Sequence, residues 1–130
     1  MTITTHDLFA HSLRLDDGTI RIEESPRNGN SARTGWTLAA FRVTHADDVH
    51  PDQWEIHPDA DEAVCVLSGA VRLILRAEPE AAEQETTLHT GTVAVVQRGQ
   101  WHRLELLGPS ELMSITVRGG TRLQARDGAD

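Results

Sequence analysis

The chain has 130 residues, 25% of them charged and 38% hydrophobic, with a formal net charge of −8. That length suits one domain around one core, and an acidic balance with no basic run excludes binding that tracks nucleic-acid phosphates, which needs a positive footprint. All 12 basic residues are arginine and tyrosine is absent, so Schiff-base lysine chemistry and phenolic acid–base chemistry are closed; catalysis must rest on His, Asp, Glu, Cys, Ser, Thr or a metal.

The opening MTITTHDLFAHSLRL carries His and Asp early and does not read as a secretory signal. No stretch is long and apolar enough to span a bilayer, so no membrane partner is expected. The lone Cys65 rules out an internal disulfide and makes a cytoplasmic location the expectation. HSLRL and TIRIEE read as a hairpin with Asp17-Gly18 at its tip. Residues 25–35, SPRNGNSARTG, have loop composition. WTLAAFRVTHA reads as a strand, and DDVHPDQ as a polar loop.

Next comes QWEIHPDADEAVCVLSG, in which a strand enters a loop and a second strand leaves it. Alternation puts Gln53, Glu55 and His57 on one side and Trp54 and Ile56 on the other, the latter pair suiting the apolar layer between sheets. Pro58 holds His57 extended, and Glu62 opens the following strand. EAVCVLSG and AVRLILRA form a pair turning at Ser68-Gly69, and Cys65 is expected to be buried and to face away from Glu62. EPEAAEQE lacks an apolar stripe and reads as a solvated loop. TTLHTG, TVAVVQRG, WHRLELLG and ELMSITV supply further strands, and residues 119–130 read as a flexible tail. About nine or ten short strands without alternating helices make an all-β sandwich or barrel over roughly residues 10–118 of a single domain, 1–130.

His102 lies far from His57 in sequence, on the strand after the flexible turn position Gly99. If the barrel closes, His102 meets His57 and Glu62 in one cavity, and two imidazoles with a carboxylate are a metal-binding set with positions left open. The bland alternative is a polar loop at His57 and Glu62 and a core histidine at His102. Asp59 and Asp61 read as solvated loop acids, Arg98 as a solvated turn charge, and His45, His50 and His89 as strand or loop histidines without partners at ligand spacing.

The spacing resembles the two-part signature of the cupin family, G-x5-H-x-H-x(3,4)-E-x6-G and G-x5-P-x-G-x2-H-x3-N. His57, Glu62 and Gly69 match the first part, with four residues between His57 and Glu62 and six before Gly69; Gly91, Gly99 and His102 match the second. Val49, Gln97 and Leu106 replace the leading glycine, the proline and the final asparagine, and Glu55 stands where the first metal-binding histidine would be. The resemblance implies an antiparallel β-barrel of jelly-roll type (a double-stranded β-helix) and a homodimer. It further implies one divalent ion, Fe, Mn, Ni or Zn, held by Glu55, His57, Glu62 and His102, and a small organic molecule in the barrel mouth. Glu55 is open between ligand, acceptor behind the ligands, and cavity carboxylate, with a role as base if the protein is an enzyme. Gln53 and Gln97 are expected near the cavity. Two functions stand: a metal-dependent oxygenase or isomerase, and a non-catalytic ligand-binding barrel, the second favoured by Glu55 and Gln97 as departures from the enzyme pattern.

Overall fold

A computed structural model describes residues 1–24 and 35–126. Its strands are β1 (His11–Asp16), β2 (Thr19–Glu24), β3 (Trp36–Val43), β4 (Gln53–Ile56), β5 (Glu62–Ser68), β6 (Ala70–Leu75), β7 (Gln84–His89), β8 (Thr92–Val96), β9 (His102–Leu106), β10 (Ser110–Val117) and β11 (Arg122–Ala125). They form two antiparallel sheets, one in the order β2-β1-β3-β10-β5-β8 and the other β11-β4-β9-β6-β7. The fold is therefore all-β and of jelly-roll type, as two facing sheets rather than a ladder closed into a barrel.

The turn chemistry accounts for the tight corners. Asp17 and Gly18 both take positive φ at the β1–β2 tip, as a two-residue hairpin turn requires. Gly69 turns β5 into β6 at φ +95, and a β-carbon there would meet Pro109 O at 2.6 Å and overlap Ser110 Oγ, so only glycine fits. The core fills the space between the sheets with Val43, Val64, Val66, Val71, Leu73, Leu88, Val96 and Leu112. These are alternate residues of their strands, so period-2 patterning reports the inner face correctly for most of the chain.

Three sequence expectations change, and a fourth is not reached. The loop assigned to residues 25–35 lies, but for Gly35, outside the described residues. The polar segment after β3 contains a 3-10 turn at Ala46–Val49, fastened by Asp48 Oδ2 accepting from the backbone N–H of Thr44 and His45 at 2.9 and 3.0 Å. The supposed tail is ordered in part: Arg122–Ala125 pairs antiparallel with β4, because Leu123 and its neighbours complete the exposed edge of that short strand. Trp54 and Ile56 are buried, but on the face of β4 opposite Glu55, and it is the Glu55 face that looks toward the other sheet. The Arg103 guanidinium lies 5.2 Å from the Trp54 ring centroid on that side.

Candidate metal centre

Strand pairing brings the two halves of the spacing pattern together. Glu55 on β4 stands directly opposite His102 on β9, and the Gly99 N–H donates to the His57 carbonyl at 3.0 Å, which fixes the turn before His102 against the residue after β4. Asp61 is not merely solvated, since its Oδ1 accepts from the Arg98 N–H at 2.7 Å and staples the same two segments. Glu62 then enters from the facing sheet at the start of β5. One ligand atom from each of Glu55, His57, Glu62 and His102 lies within 4.8 Å of all the others. Metal–ligand bonds of about 2.0–2.6 Å place donors around an ion at such separations.

His102 shows most directly what the cluster is built for. Its Nδ1 lies 3.0 Å from the Gln100 carbonyl, which can only accept, so Nδ1 carries a proton. The other nitrogen, Nε2, faces Glu62 Oε1 at 3.0 Å. A bare lone pair aimed at a carboxylate oxygen is repulsive, so either a second proton or a cation must sit between them. His57 repeats the pattern: Nδ1 is 2.8 Å from Thr121 Oγ1, while Nε2 is 3.1 Å from Glu55 Oε1 and 3.4 Å from Glu62 Oε1. Neither oxygen lies in line with the His57 Nε2–H direction, so this buried nitrogen has charge attraction but no hydrogen-bond acceptor. An inward-facing nitrogen on each ring, each ring held from behind, is the arrangement that orients imidazoles toward a metal.

Without a cation, protons take that role. Burial pulls the His57 imidazolium down, and the Glu55 and Glu62 carboxylates more than reverse this, holding it at about 9. His102 is pushed up against the same burial, mainly by Glu62. Burial raises Glu62, but the two histidines win and hold its carboxyl well below the usual carboxylate range. Glu62 also accepts at Oε2 from the Ser114 hydroxyl at 2.7 Å. His57, Glu62 and His102 are each no more than 5% exposed. The Glu55 side chain is 34% exposed and is the member open to the neighbouring space.

That space is a cavity of about 660 Å³ between the sheets, bordered by Glu55, Glu62 and His102 and walled by Phe41, Val43, Val64, Leu104 and Leu112 among others. Gln53 borders it. Gln97 does not: it is exposed, because Val96 at the end of β8 is buried and the next residue points outward. His50, read as a partnerless loop histidine, borders the cavity from a left-handed backbone position at φ 49. Cys65 faces away from the cavity but is half-buried rather than buried, and its partial burial pushes the thiol up. Ser114, Arg118 and Thr121 are not among the residues the sequence singles out, Ser114 lying in a strand and Thr121 in the supposed tail; alternation inward from Leu112 is the one signal for Ser114.

The cupin domain family profile matches residues 45–118. No curated protein matches the chain in sequence. Among solved structures, a cupin-2 domain protein from Shewanella frigidimarina is 19% identical over 70% of this chain and 71% of its own, with a TM-score of 0.47. A mutant of Bacillus subtilis oxalate decarboxylase is 18% identical over 72% of this chain and 24% of its own, with a TM-score of 0.55. An oxalate oxidase in complex with the substrate analogue glycolate is 19% identical over 68% of this chain and 45% of its own, with a TM-score of 0.52. Another structure of the Bacillus subtilis decarboxylase is described for its Mn(II) centres. At these identities the likeness is one of fold, and the chain spans about a quarter of the decarboxylase's length.

Proposed function

The chain belongs to the cupin family, and from that premise we propose that it is a metal-dependent enzyme acting on a small organic molecule held in the cavity beside Glu55, His57, Glu62 and His102. The observation that carries this reading is the His102 ring, whose Nδ1–H donates to the Gln100 carbonyl and whose Nε2 is aimed at a carboxylate. Those four residues hold the ion, and their two carboxylates balance a divalent charge. The oxygen-rich set favours Fe(II) or Mn over softer choices, with Zn and Ni also compatible. A bound ion of this kind supplies Lewis-acid polarisation of a ligand oxygen and, for Fe or Mn, redox chemistry.

The protein's own side chains divide the remaining work. Glu62 is fixed by His102 and Ser114 and stays charged. Glu55 has no such fastening from behind among the described residues and opens to the cavity, so it is the group placed to take or return a substrate proton. The apolar walls exclude water around the reacting group, and Gln53 offers an amide at the border. The test is turnover. Metal-loaded protein should consume dioxygen or isomerise a member of a panel of small carbonyl, phenolic and carboxylic compounds, with at least a hundredfold loss in Glu55→Gln. Metal binding and ligand binding without turnover of any member would support the non-catalytic barrel instead.

We also infer a homodimer. On the outer face of the larger sheet, Ile22, Leu13, Leu38, Ile115, Ala63 and Val95 stand in one cross-strand row over all six strands. Ile22 and Val95 are 41% and 63% exposed, and nothing among the described residues covers them. A flat apolar sheet face is complementary to a copy of itself about 10 Å away, which suits two-fold pairing. Light scattering should give a dimer mass that Val95→Glu lowers to the monomer's; a monomer mass for the unaltered protein would contradict this. A cytoplasmic setting accompanies the reading, supported by the single free thiol.

A further inference from the structure

The cavity holds a cation that the metal cluster does not use. Arg118 follows β10 and continues the inward alternation of Leu112, Ser114 and Thr116. Its Nη2 donates to Ser114 Oγ at a long 3.3 Å, and that hydroxyl spends its own proton on Glu62 at 2.7 Å. Arg118 Nε is buried with no acceptor. A guanidinium has five N–H donors in a rigid fork, and one weak bond leaves it far from satisfied.

The other charges around the cavity are accounted for. Arg42 pairs with Glu111 at 3.1 Å and lies over the Phe9 ring, and Arg103 pairs with Glu105 at 2.6 Å. Asp48 accepts from backbone N–H groups and is exposed, so water screens its charge from the cavity, and Glu55 and Glu62 belong to the cluster. Among the described residues no carboxylate pairs with Arg118. Two carboxylates neutralise a divalent ion, which leaves one uncompensated positive charge in a cavity walled by Phe41, Val43, Val64, Leu104, Leu112 and Leu123. An unpaired charge in such surroundings is costly until an anion arrives.

We propose that Arg118 anchors the carboxylate of the cavity's ligand, and that the ligand is a small monocarboxylate with an apolar body. One free cation matches one negative charge; a compact dianion such as oxalate, or a phosphate monoester at about −1.5 to −2, brings too much charge. Oxalate would also leave most of a cavity of about 660 Å³ unfilled, with its apolar walls in contact with water. The charge count rests on the metal reading; the unsatisfied guanidinium does not.

Calorimetric titration with 3-phenylpropanoate, its primary amide and oxalate tests this in metal-loaded and chelator-treated protein. The acid should bind at least tenfold tighter than the amide and tighter than oxalate. Arg118→Met should abolish the preference for acid over amide, and Arg118→Lys should keep part of it. If Arg118→Met does not fold, the acid–amide comparison in the unaltered protein and in Arg118→Lys decides. A preference that survives chelation and needs Arg118 upholds the anchor even if the cluster proves to hold no metal. The proposal is overturned if acid and amide bind alike, if oxalate binds tightest, if none of the three binds, if Arg118→Met keeps the preference, or if chelation alone removes it.

Discussion

At one end of the space between the sheets, Val66, Val71, Leu73 and Leu88 pack together with no more than 6% of any residue exposed; at the other, Glu62, His102, Ser114 and Thr116 are no more than 8% exposed and all are polar. Two strands run from one end to the other. β5 runs from Glu62 through Val64 to Val66, and β9 from His102 to Leu104 and Leu106. The apolar end removes surface from water and stabilises the fold at roughly 25 cal/mol per Å² buried. The polar end offers no such gain, and holds together because each group answers another: His102 to Glu62, Glu62 to Ser114, Thr116 Oγ1 to the Asp61 carbonyl at 2.9 Å. Stability and site chemistry thus occupy separate lengths of the same strands.

Changes confined to one end should separate these properties. The largest effect belongs to the apolar end: Leu73→Ala should cost about 3 kcal/mol in urea unfolding, through lost burial and a residual cavity, while the folded protein keeps its metal stoichiometry. Loss of metal in that variant at temperatures where it remains folded would mean the ends are coupled.

The pH dependence should run in opposite senses with and without metal. The His57 imidazolium is raised from its ordinary 6.5 to about 9, so its contribution to the metal-free fold is complete below about 6.5 and is lost as pH rises through about 9. Glu62 is shifted down, so its contribution holds above the usual carboxylate range and is lost only as pH falls well below it. Metal must displace the imidazolium proton, so its apparent affinity should rise over the same 6.5–9 window by roughly tenfold per pH unit for each proton displaced. Melting curves of chelator-treated protein and metal titrations at several pH values check both arms.

The smallest effect is expected at Thr121, which touches the cluster only through the back of the His57 ring. Thr121→Val should weaken metal binding about tenfold with little change in unfolding free energy, as for other groups that orient metal-bound histidines. An unchanged metal affinity would show that ring orientation is set elsewhere.

Much of this division is written locally in the chain. Gly69 and the Asp17-Gly18 tip announce their turns because few residues tolerate the backbone they need. Glu62 and His102 are legible through their distances from Gly69 and Gly99, since each distance is a turn plus a length of strand. What the sequence hides is which strand lies opposite which. Ser114 looks like any small strand residue until β10 is laid beside β5 and its hydroxyl reaches Glu62. Thr121 sits in a segment whose polar composition suggests a loose tail, with Arg118 just before it, and pairing of β11 with β4 is what brings Thr121 to His57. Gln97 fails for the converse reason: a motif position placed it near the cavity, while its own strand turns it outward after Val96.

The central claim is that the polar end is a metal site, and metal content tests it most directly. Protein purified without an affinity tag should carry about one equivalent of Fe, Mn, Ni or Zn per chain by elemental mass spectrometry, while His57→Ala and His102→Ala stay folded and retain almost none. Absence of bound metal, with no binding when each ion is added back at pH 8, would contradict the account and leave the cluster as a buried ion-pair network.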